Sequence, residues 1–299
     1  MDFSCLRLRS RVDTRQEAEM RRRVLAMVAA GVVCTLGAAG SAAGDGGPAQ
    51  GAVQGWDGLA RGGVRYVAVP TPGWTSLQVI ARKGGRVIKF MDLRGSWGIP
   101  LVAFDGSGDA LLRDDRTLVL GEATAGPVLR KRSSFLFVDT LKLRILRRIH
   151  LGGHFAFDAV SPDRRYLYVT EYLSQQNFAQ YRVRAVDLRS GRLLPKIVSD
   201  RSSWETTMEG MPISRVNREG WAYTLYGGTG ARPFIHALDT RHVAAVCIDL
   251  PWKHDPRYIY NYRLHWDAAG HLVVRGPKGR ALVTVDRKEL RVLTSVRNP

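Results

Sequence analysis

The chain has 299 residues, 45% of them apolar and 24% charged, and 45 Lys and Arg residues against 27 Asp and Glu residues give a net charge of +18. This length and composition exclude a disordered or fibrous protein and allow a substantial hydrophobic core. The arginines are spread over predicted strands, without a recognisable nucleic-acid-binding module, so we expect no sequence-specific nucleic-acid binding. The charge indicates attraction to anionic polymers.

Residues 20–43 predict an export signal. Three arginines follow Met20, an apolar stretch runs from Val24 to Gly37, and the small residues Ser41-Ala42-Ala43 form a cleavage site. Because the first 19 residues are charged and irregular, we expect translation to begin at Met20. The alternative, an uncleaved anchor, is disfavoured because Gly and Ala make a poor spanning helix. We therefore expect a signal peptide over residues 1–43, a secreted protein, and no stable membrane insertion after cleavage.

Residues 44–63 are rich in Gly, Ala and Gln, which predicts a flexible linker before a single domain over residues 64–299. Only Cys247 remains after cleavage, so the mature protein has no intrachain disulfide. Its segment, VAAVCIDL, is an apolar strand pattern in which a cysteine serves as a small buried hydrophobe. We expect a monomer stabilised by its core.

Two half-units recur from Val64 onward, and no long amphipathic helix interrupts them. The first is an apolar strand that ends in aspartate about every 48 residues, at Asp92, Asp139, Asp187, Asp239 and Asp286. The second is a strand, a polar turn and a strand, at Tyr66–Ile80, Asp109–Glu122, Asp158–Glu171, Pro212–Tyr226 and Tyr262–Gly276. The aspartates are expected to accept hydrogen bonds from turn amides.

A period of this length with four strands per repeat is typical of an all-β propeller, here of five four-stranded blades. The two half-units are out of phase at the ends of the chain. Leu282–Val296 lacks a partner, and so does Tyr66–Ile80. We therefore expect N-terminal and C-terminal strands to pair in one blade, which closes the ring and removes exposed edges.

The segments FLFVDT (Phe135–Thr140), AVSPD (Ala159–Asp163) and YLYVT (Tyr166–Thr170) resemble the repeats of YVTN/YncE-type β-propellers. In that family an apolar strand leads into Asp-Thr, followed by Ser-Pro-Asp-Gly and Tyr-Val-Thr-Asn. Arg164 and Glu171 replace the glycine and the asparagine. The chain also resembles secreted actinobacterial propeller proteins. The resemblance implies the fold and no particular function, because such propellers include binding proteins and enzymes.

Equivalent carboxylates occur in adjacent repeats: Asp109 matches Asp158, and Glu122 matches Glu171. Such residues can converge near a propeller axis and act as acid and base on a glycoside. The alternative is that each pairs with a local arginine. The seven histidines lack metal-ligand spacing, and no nucleotide or other cofactor fingerprint occurs, so we expect neither metal nor cofactor.

Three long connections break the repeat, at Leu173–Gln180, Asp200–Met211 and Pro251–Tyr262, and such loops commonly bind ligands. Alternatively, they plug the ring or pack over a blade. The candidate binding residues are His154, Trp204, Trp252, His254 and Tyr258. The leading hypothesis is a secreted, non-enzymatic propeller whose loops on one face bind a protein or an anionic cell-wall polysaccharide. The alternative is a glycoside-type hydrolase or lyase that uses Asp109, Asp158, Glu122 or Glu171.

Overall fold

The computed structural model describes residues 58–123, 129–174, 179–200 and 206–296. The predicted signal peptide, most of the predicted linker and Trp204 lie outside these ranges. Contacts divide the chain between Asp45 and Gly46, and all described strands lie in the unit Gly46–Pro299. This unit contains its own hydrophobic core, which is the property expected of an independently folding domain. No helix in the described ranges is long and apolar enough to span a bilayer.

The described chain forms five antiparallel sheets, each built from strands that are consecutive in sequence. The first contains β1 (Leu59–Arg61), β2 (Val64–Thr71), β3 (Trp74–Ala81) and β4 (Val87–Arg94). The second contains β5 (Trp97–Gly98), β6 (Thr117–Glu122), β7 (Arg132–Asp139) and β8 (Arg144–Gly152). The third contains β9 (Phe155–Val160), β10 (Tyr166–Tyr172), β11 (Gln180–Asp187) and β12 (Arg192–Val198), and β13 (Met208–Glu209) also pairs with β11. The fourth contains β14 (Met211–Arg218), β15 (Trp221–Gly227), β16 (Phe234–Asp239) and β17 (Ala244–Asp249). The fifth contains β18 (Arg263–Trp266), β19 (Leu272–Arg275), β20 (Ala281–Asp286) and β21 (Arg291–Ser295).

The expected pairing of N-terminal with C-terminal strands in one sheet is wrong for the described strands. Leu59–Arg61 (β1), within the segment predicted as a linker, completes the first sheet by pairing with β2. A two-residue turn, Gly62-Gly63, joins this strand to β2, and Gly62 has a φ of 54° that glycine adopts without strain. The fifth sheet is complete with β18 to β21. Neither sheet therefore has a vacant place for a strand from the other end.

Turn capping is confirmed for four of the five repeated aspartates. Asp139, Asp187, Asp239 and Asp286 each end the third strand of a sheet, and each Oδ1 accepts an amide N–H from the following turn. Asp92 differs because it lies inside β4, the fourth strand, opposite Ser76. The first sheet begins one strand earlier than the repeat predicted, so its aspartate falls in a different strand.

Consecutive sheets pack together through apolar clusters. Leu77 and Leu118 lie in the cluster between the first and second sheets, and Phe135 and Phe157 lie in the one between the second and third. A third cluster joins the third and fourth sheets, and a fourth joins the fourth and fifth. Among the described residues, no cluster joins the fifth sheet to the first. Each internal sheet thus buries side chains on both faces, because successive residues of a strand point to opposite faces and strands such as β7 are buried almost throughout.

Because the strands are antiparallel, the connections between them alternate between the two ends of the strands. The turns after the first and third strands lie at one end, which we call the turn face. The connections after the second and fourth strands lie at the opposite end, which we call the loop face. All three long connections belong to the loop face, because two follow a fourth strand and Leu173–Gln180 follows a second strand. The polar turn Ser161–Arg165 belongs to the turn face.

Candidate functional site at the centre of the sheets

An insertion between β5 and β6 crosses the space between the second and fourth sheets. The amide of Phe104 donates to the carbonyl of Pro212 (2.8 Å), and the amide of Asp105 donates to that of Ile213 (3.1 Å). The amide of Arg215 in turn donates to Ser107 Oγ (2.9 Å). The insertion therefore runs alongside β14 and fills the centre, a position that the repeat pattern did not predict.

Asp109, Asp158 and Arg215 occupy the same position in the second, third and fourth sheets. In each case the residue two positions further on pairs with the second strand: Leu111 with Leu118, Val160 with Leu167, and Asn217 with Ala222. These three side chains, which we call the axial triad, meet. Arg215 Nε lies 3.3 Å from Asp109 Oδ2, and Arg215 Nη1 donates to Asp158 Oδ1. The two equivalent aspartates therefore approach a common centre, where a guanidinium separates them.

Burial and charge determine the electrostatics of the axial triad. The side chains of Arg215 and Asp158 are 1% and 5% exposed, and that of Asp109 is 28% exposed. Burial raises the pKa of Asp109 above its ordinary value, and repulsion from Asp158 adds to this, while Arg215 opposes both. Burial disfavours the charged form of Arg215, but attraction to Asp158 and Asp109 raises its pKa overall. Asn217 Nδ2 donates to Asp109 Oδ1, so both oxygens of Asp109 have partners.

The axial triad lies between two cavities. A cavity of about 540 Å³ on the turn-face side is lined by Asp109, Asn217 and Arg113, among others. A cavity of about 30 Å³ on the other side is lined by Asp158 and by three tyrosines, Tyr172, Tyr181 and Tyr226. Because Arg215 contacts a carboxylate from each cavity, its side chain stands between them.

The three tyrosines form a buried row with a histidine at each end. Ring centroids are 6.2 Å apart for Tyr172 and Tyr181, and 5.5 Å apart for Tyr181 and Tyr226. His154 packs on Tyr172 at 5.3 Å, and His236 packs on Tyr226 at 6.3 Å. Burial lowers the pKa of His236 to about 4, although Asp158 opposes this, and burial raises the pKa of each tyrosine. The three tyrosines and His236 are therefore uncharged at neutral pH.

Glu122 and Glu171 do not share the environment of the two aspartates. Glu171 Oε2 lies 2.6 Å from Arg182 Nε and 2.9 Å from Arg184 Nη1, both on the next strand of the same sheet. The carbonyl of Glu122 accepts from Arg130 Nη1 (2.8 Å). Pairing with local arginines, the alternative considered from the sequence, thus describes Glu171 well.

The predicted binding residues have different environments. Trp252 is 4% exposed and donates from Nε1 to the carbonyl of Val296 (2.9 Å), so its ring packs inside the fold, which is one of the outcomes expected for the long connections. The apolar core of the fourth and fifth sheets holds it. His154 is also buried, and its Nδ1 accepts from the amide of Arg130 (3.1 Å). His254 and Tyr258 remain exposed on the loop face.

Sequence reasoning missed Arg215, His236 and the tyrosine row. Arg215 lies in a weak copy of the strand-turn-strand unit, and the pairing register is needed to align it with Asp109 and Asp158. Once the copies are aligned in this way, the position reads Asp, Asp and Arg in the second, third and fourth sheets. His236 alternates with buried apolar residues in β16, which looks like an ordinary core pattern. No group of three or more His, Cys, Asp or Glu side chains suited to a metal occurs in the described part of the chain.

A second polar feature lies on the outer strands β8 and β12, which we call the β8–β12 surface. These strands carry five exposed cations and no carboxylate: Arg144, Arg147, Arg148, Arg192 and Lys196. None of the five forms an ion pair with a described residue. β8 and β12 are the outer strands of consecutive sheets, and Ile149 and Leu193 both belong to the apolar cluster between those sheets. Two consecutive sheets therefore carry five exposed cations on their outer strands.

Four-stranded antiparallel sheets that follow one another along the chain, pack in series and direct their first strands to a common centre define a β-propeller. No protein-family model matches the chain, and no curated protein is significantly similar to it.

Solved structures that resemble it include the dihydro-heme d1 dehydrogenase NirN (12% identity, 85% of this chain and 48% of that chain, TM-score 0.45). The Dos1 propeller is 14% identical, with coverage of 78% and 56% and a TM-score of 0.43. TolB from Acinetobacter baumannii is 13% identical, with coverage of 77% and 52% and a TM-score of 0.39. The chain spans about half the length of these structures, and similarity this low assigns no function.

Proposed function

We propose that this protein is an exported, non-enzymatic β-propeller that binds an anionic polymer of the cell envelope through the β8–β12 surface. The observation that carries the proposal is the set of five exposed cations, none ion-paired with a described residue, on the outer strands of two consecutive sheets. The same proposal includes export with removal of residues 1–43 and a monomeric state. It also includes a complete set of five blades and kinship with YVTN/YncE-type propellers.

Electrostatics support a polymeric anion rather than a small one. The cations are exposed and spread along two strands, with no enclosed cavity to desolvate a small ligand, so each contributes weakly. A polymer that contacts several at once adds these contributions within one binding event. The binding site that we propose therefore lies on the outer strands rather than on the loops, where Trp252 and His154 are buried.

The glycoside-type hydrolase or lyase is disfavoured by the state of its carboxylates. Asp109 and Asp158 share one guanidinium, and Asn217 occupies the second oxygen of Asp109. Glu171 is held by two arginines, which lower its pKa despite its partial burial. A general acid has to hold a proton near neutral pH and release it to a leaving group. None of these three carboxyl groups is free to do this.

Binding to an immobilised polyanion, with neutral dextran as the reference, tests the proposal. We expect the Gly46–Pro299 unit to bind the polyanion and not the dextran, with affinity falling as NaCl rises from about 0.1 M to about 1 M, because salt screens exposed charges. The double variant Arg147→Glu/Arg148→Glu should bind at least about tenfold more weakly, since each reversed cation near a polyanion costs on the order of 1 kcal/mol or more.

The charge-matched control is Arg280→Glu/Arg291→Glu, on the fifth sheet, where both side chains are exposed. It should retain most of the affinity. Equal loss in both double variants would show that net charge alone drives binding, and the proposed location would be wrong. Absence of binding by the wild-type protein at the lower salt concentration would refute the function itself.

A further inference from the structure

The outer strand of the first sheet exposes an apolar area. Val87, Ile88 and Phe90 of β4 are 44%, 46% and 63% exposed, and Leu141 of the adjacent turn is 54% exposed. Lys89 Nζ donates to the carbonyl of Leu141 (2.6 Å), which places that turn beside β4. We call Val87, Ile88 and Phe90, together with Lys83 and Arg86, the first-sheet rim.

The apolar side chains of the rim have no place in the core. The cluster between the first and second sheets uses Leu77, Val79 and Leu93, which lie on the inner face. Phe90 pairs with Gln78 and so points to the other face, away from the second sheet. Ile88 lies where the register shifts between β3 and β4 and has no cross-strand partner. Their exposure is therefore a property of the folded protein.

Cations surround this apolar area. The loop between β3 and β4 reads RKGGR, and Lys83 and Arg86 are exposed with no ion pair to any described residue. Residues 58–94 contain seven basic residues and one acidic residue, Asp92. Exposed aromatic and aliphatic side chains flanked by Lys and Arg are the combination that places a protein surface at the interface of an anionic membrane.

We propose that the first-sheet rim docks on the surface of an anionic lipid bilayer. Shape favours a bilayer over an acidic protein, because the rim is an outer strand with its adjoining loop, and neither of the two cavities described above includes Val87, Ile88 or Phe90. A protein partner binds through fitted pockets, whereas lipid headgroups admit protruding side chains one by one. The association is peripheral, and it uses residues distinct from the β8–β12 surface.

The test is co-sedimentation of the Gly46–Pro299 unit with vesicles of phosphatidylcholine alone or with about one quarter phosphatidylglycerol. We expect binding to the anionic vesicles and at least about tenfold weaker binding to the neutral ones, since each cation near an anionic surface contributes roughly fivefold. Ile88→Ser/Phe90→Ser should weaken binding about tenfold at unchanged charge, because it removes the side chains that enter the interface. Leu293→Ser, at an exposed leucine of β21, is the matched apolar control and should bind like the wild type.

Charge variants separate the rim from the β8–β12 surface. Lys83→Glu/Arg86→Glu should abolish vesicle binding and retain polyanion binding, whereas Arg147→Glu/Arg148→Glu should do the reverse. Since all these side chains are exposed, urea midpoints should match the wild type in every variant, which separates lost binding from lost folding.

Three results would overturn the proposal: wild-type protein that stays free of anionic vesicles, an Ile88→Ser/Phe90→Ser variant that binds them as well as the wild type, or equal binding to neutral vesicles. Binding of soluble polyglutamate that depends on Phe90, without vesicle binding, would identify an acidic protein as the occupant and would equally overturn the proposal.

Discussion

Replacing Arg215 by methionine tests the axial triad directly. Methionine has a similar length and no charge, so the substitution leaves Asp158, 5% exposed, without its guanidinium. Removal of one partner from a buried ion pair costs about 3 to 5 kcal/mol, because the remaining charge stays desolvated. Asp109 is 28% exposed and keeps its bond to Asn217, so it adds little. We therefore expect a loss of about 3 to 4 kcal/mol, a large part of the typical 5 to 15 kcal/mol of a domain.

Urea unfolding followed by circular dichroism measures this loss. The triple variant Arg215→Met/Asp158→Asn/Asp109→Asn should recover most of it, since no charge is left buried.

A cost below about 1 kcal/mol for Arg215→Met, which is the range of an exposed pair, would contradict a buried ion pair. A triple variant that is no more stable than the single one would contradict it as well. Either result would mean that the guanidinium and the carboxylates do not meet in a desolvated site.

Three further substitutions test individual contacts. Burial lowers the pKa of His236 to about 4, so the stability that its neutral form contributes is present above the unfolded pKa of about 6.5 and is lost as pH falls. Between pH 7 and pH 4 the wild type should therefore lose about 3 kcal/mol of unfolding free energy more than His236→Phe loses, measured by urea unfolding at both pH values. Asp187→Ala removes the acceptor of the Ser190 amide (2.8 Å) and should lower the urea midpoint, whereas Asp92→Ala, which caps no described turn, should lower it less. Tyr168→Phe leaves the carbonyl of Thr240 without the hydroxyl donor of Tyr168 (2.9 Å). The free energy of unfolding should fall by about 1 to 2 kcal/mol, which a lower melting temperature would show.

Much of the fold could be predicted because strand alternation and turn residues act locally. The units around Asp139 and Asp187 contain both their strands and their capping aspartates within a short stretch. Asp92 was misplaced because its strand looks the same in sequence, while Leu59–Arg61 shifts the first sheet by one strand. A strand of three residues, partly exposed, carries too little apolar pattern to be recognised beside a glycine-rich segment.

The candidate site could be predicted only in part. Equivalence of Asp109 with Asp158 followed from the repeat, and convergence near the axis was one of two expected outcomes. The choice between a catalytic pair and an ion-paired group depended on Arg215, a residue of the fourth sheet that is distant in sequence from both aspartates. The same limit applies to Trp252, since an aromatic residue in a long loop has the same sequence signal whether it lies on the surface or in the core.

Four-stranded antiparallel units with aspartate-capped turns can be predicted from the sequence, because hydrogen bonding within a strand pair and alternation of side chains depend on residues close in the chain. The folded structure was needed to show which side chains meet at the centre, which cations β8 and β12 expose, and that Phe90 stays exposed. Those outcomes depend on how the sheets pack, and Coulomb and desolvation energies depend on distance in space rather than on separation along the chain.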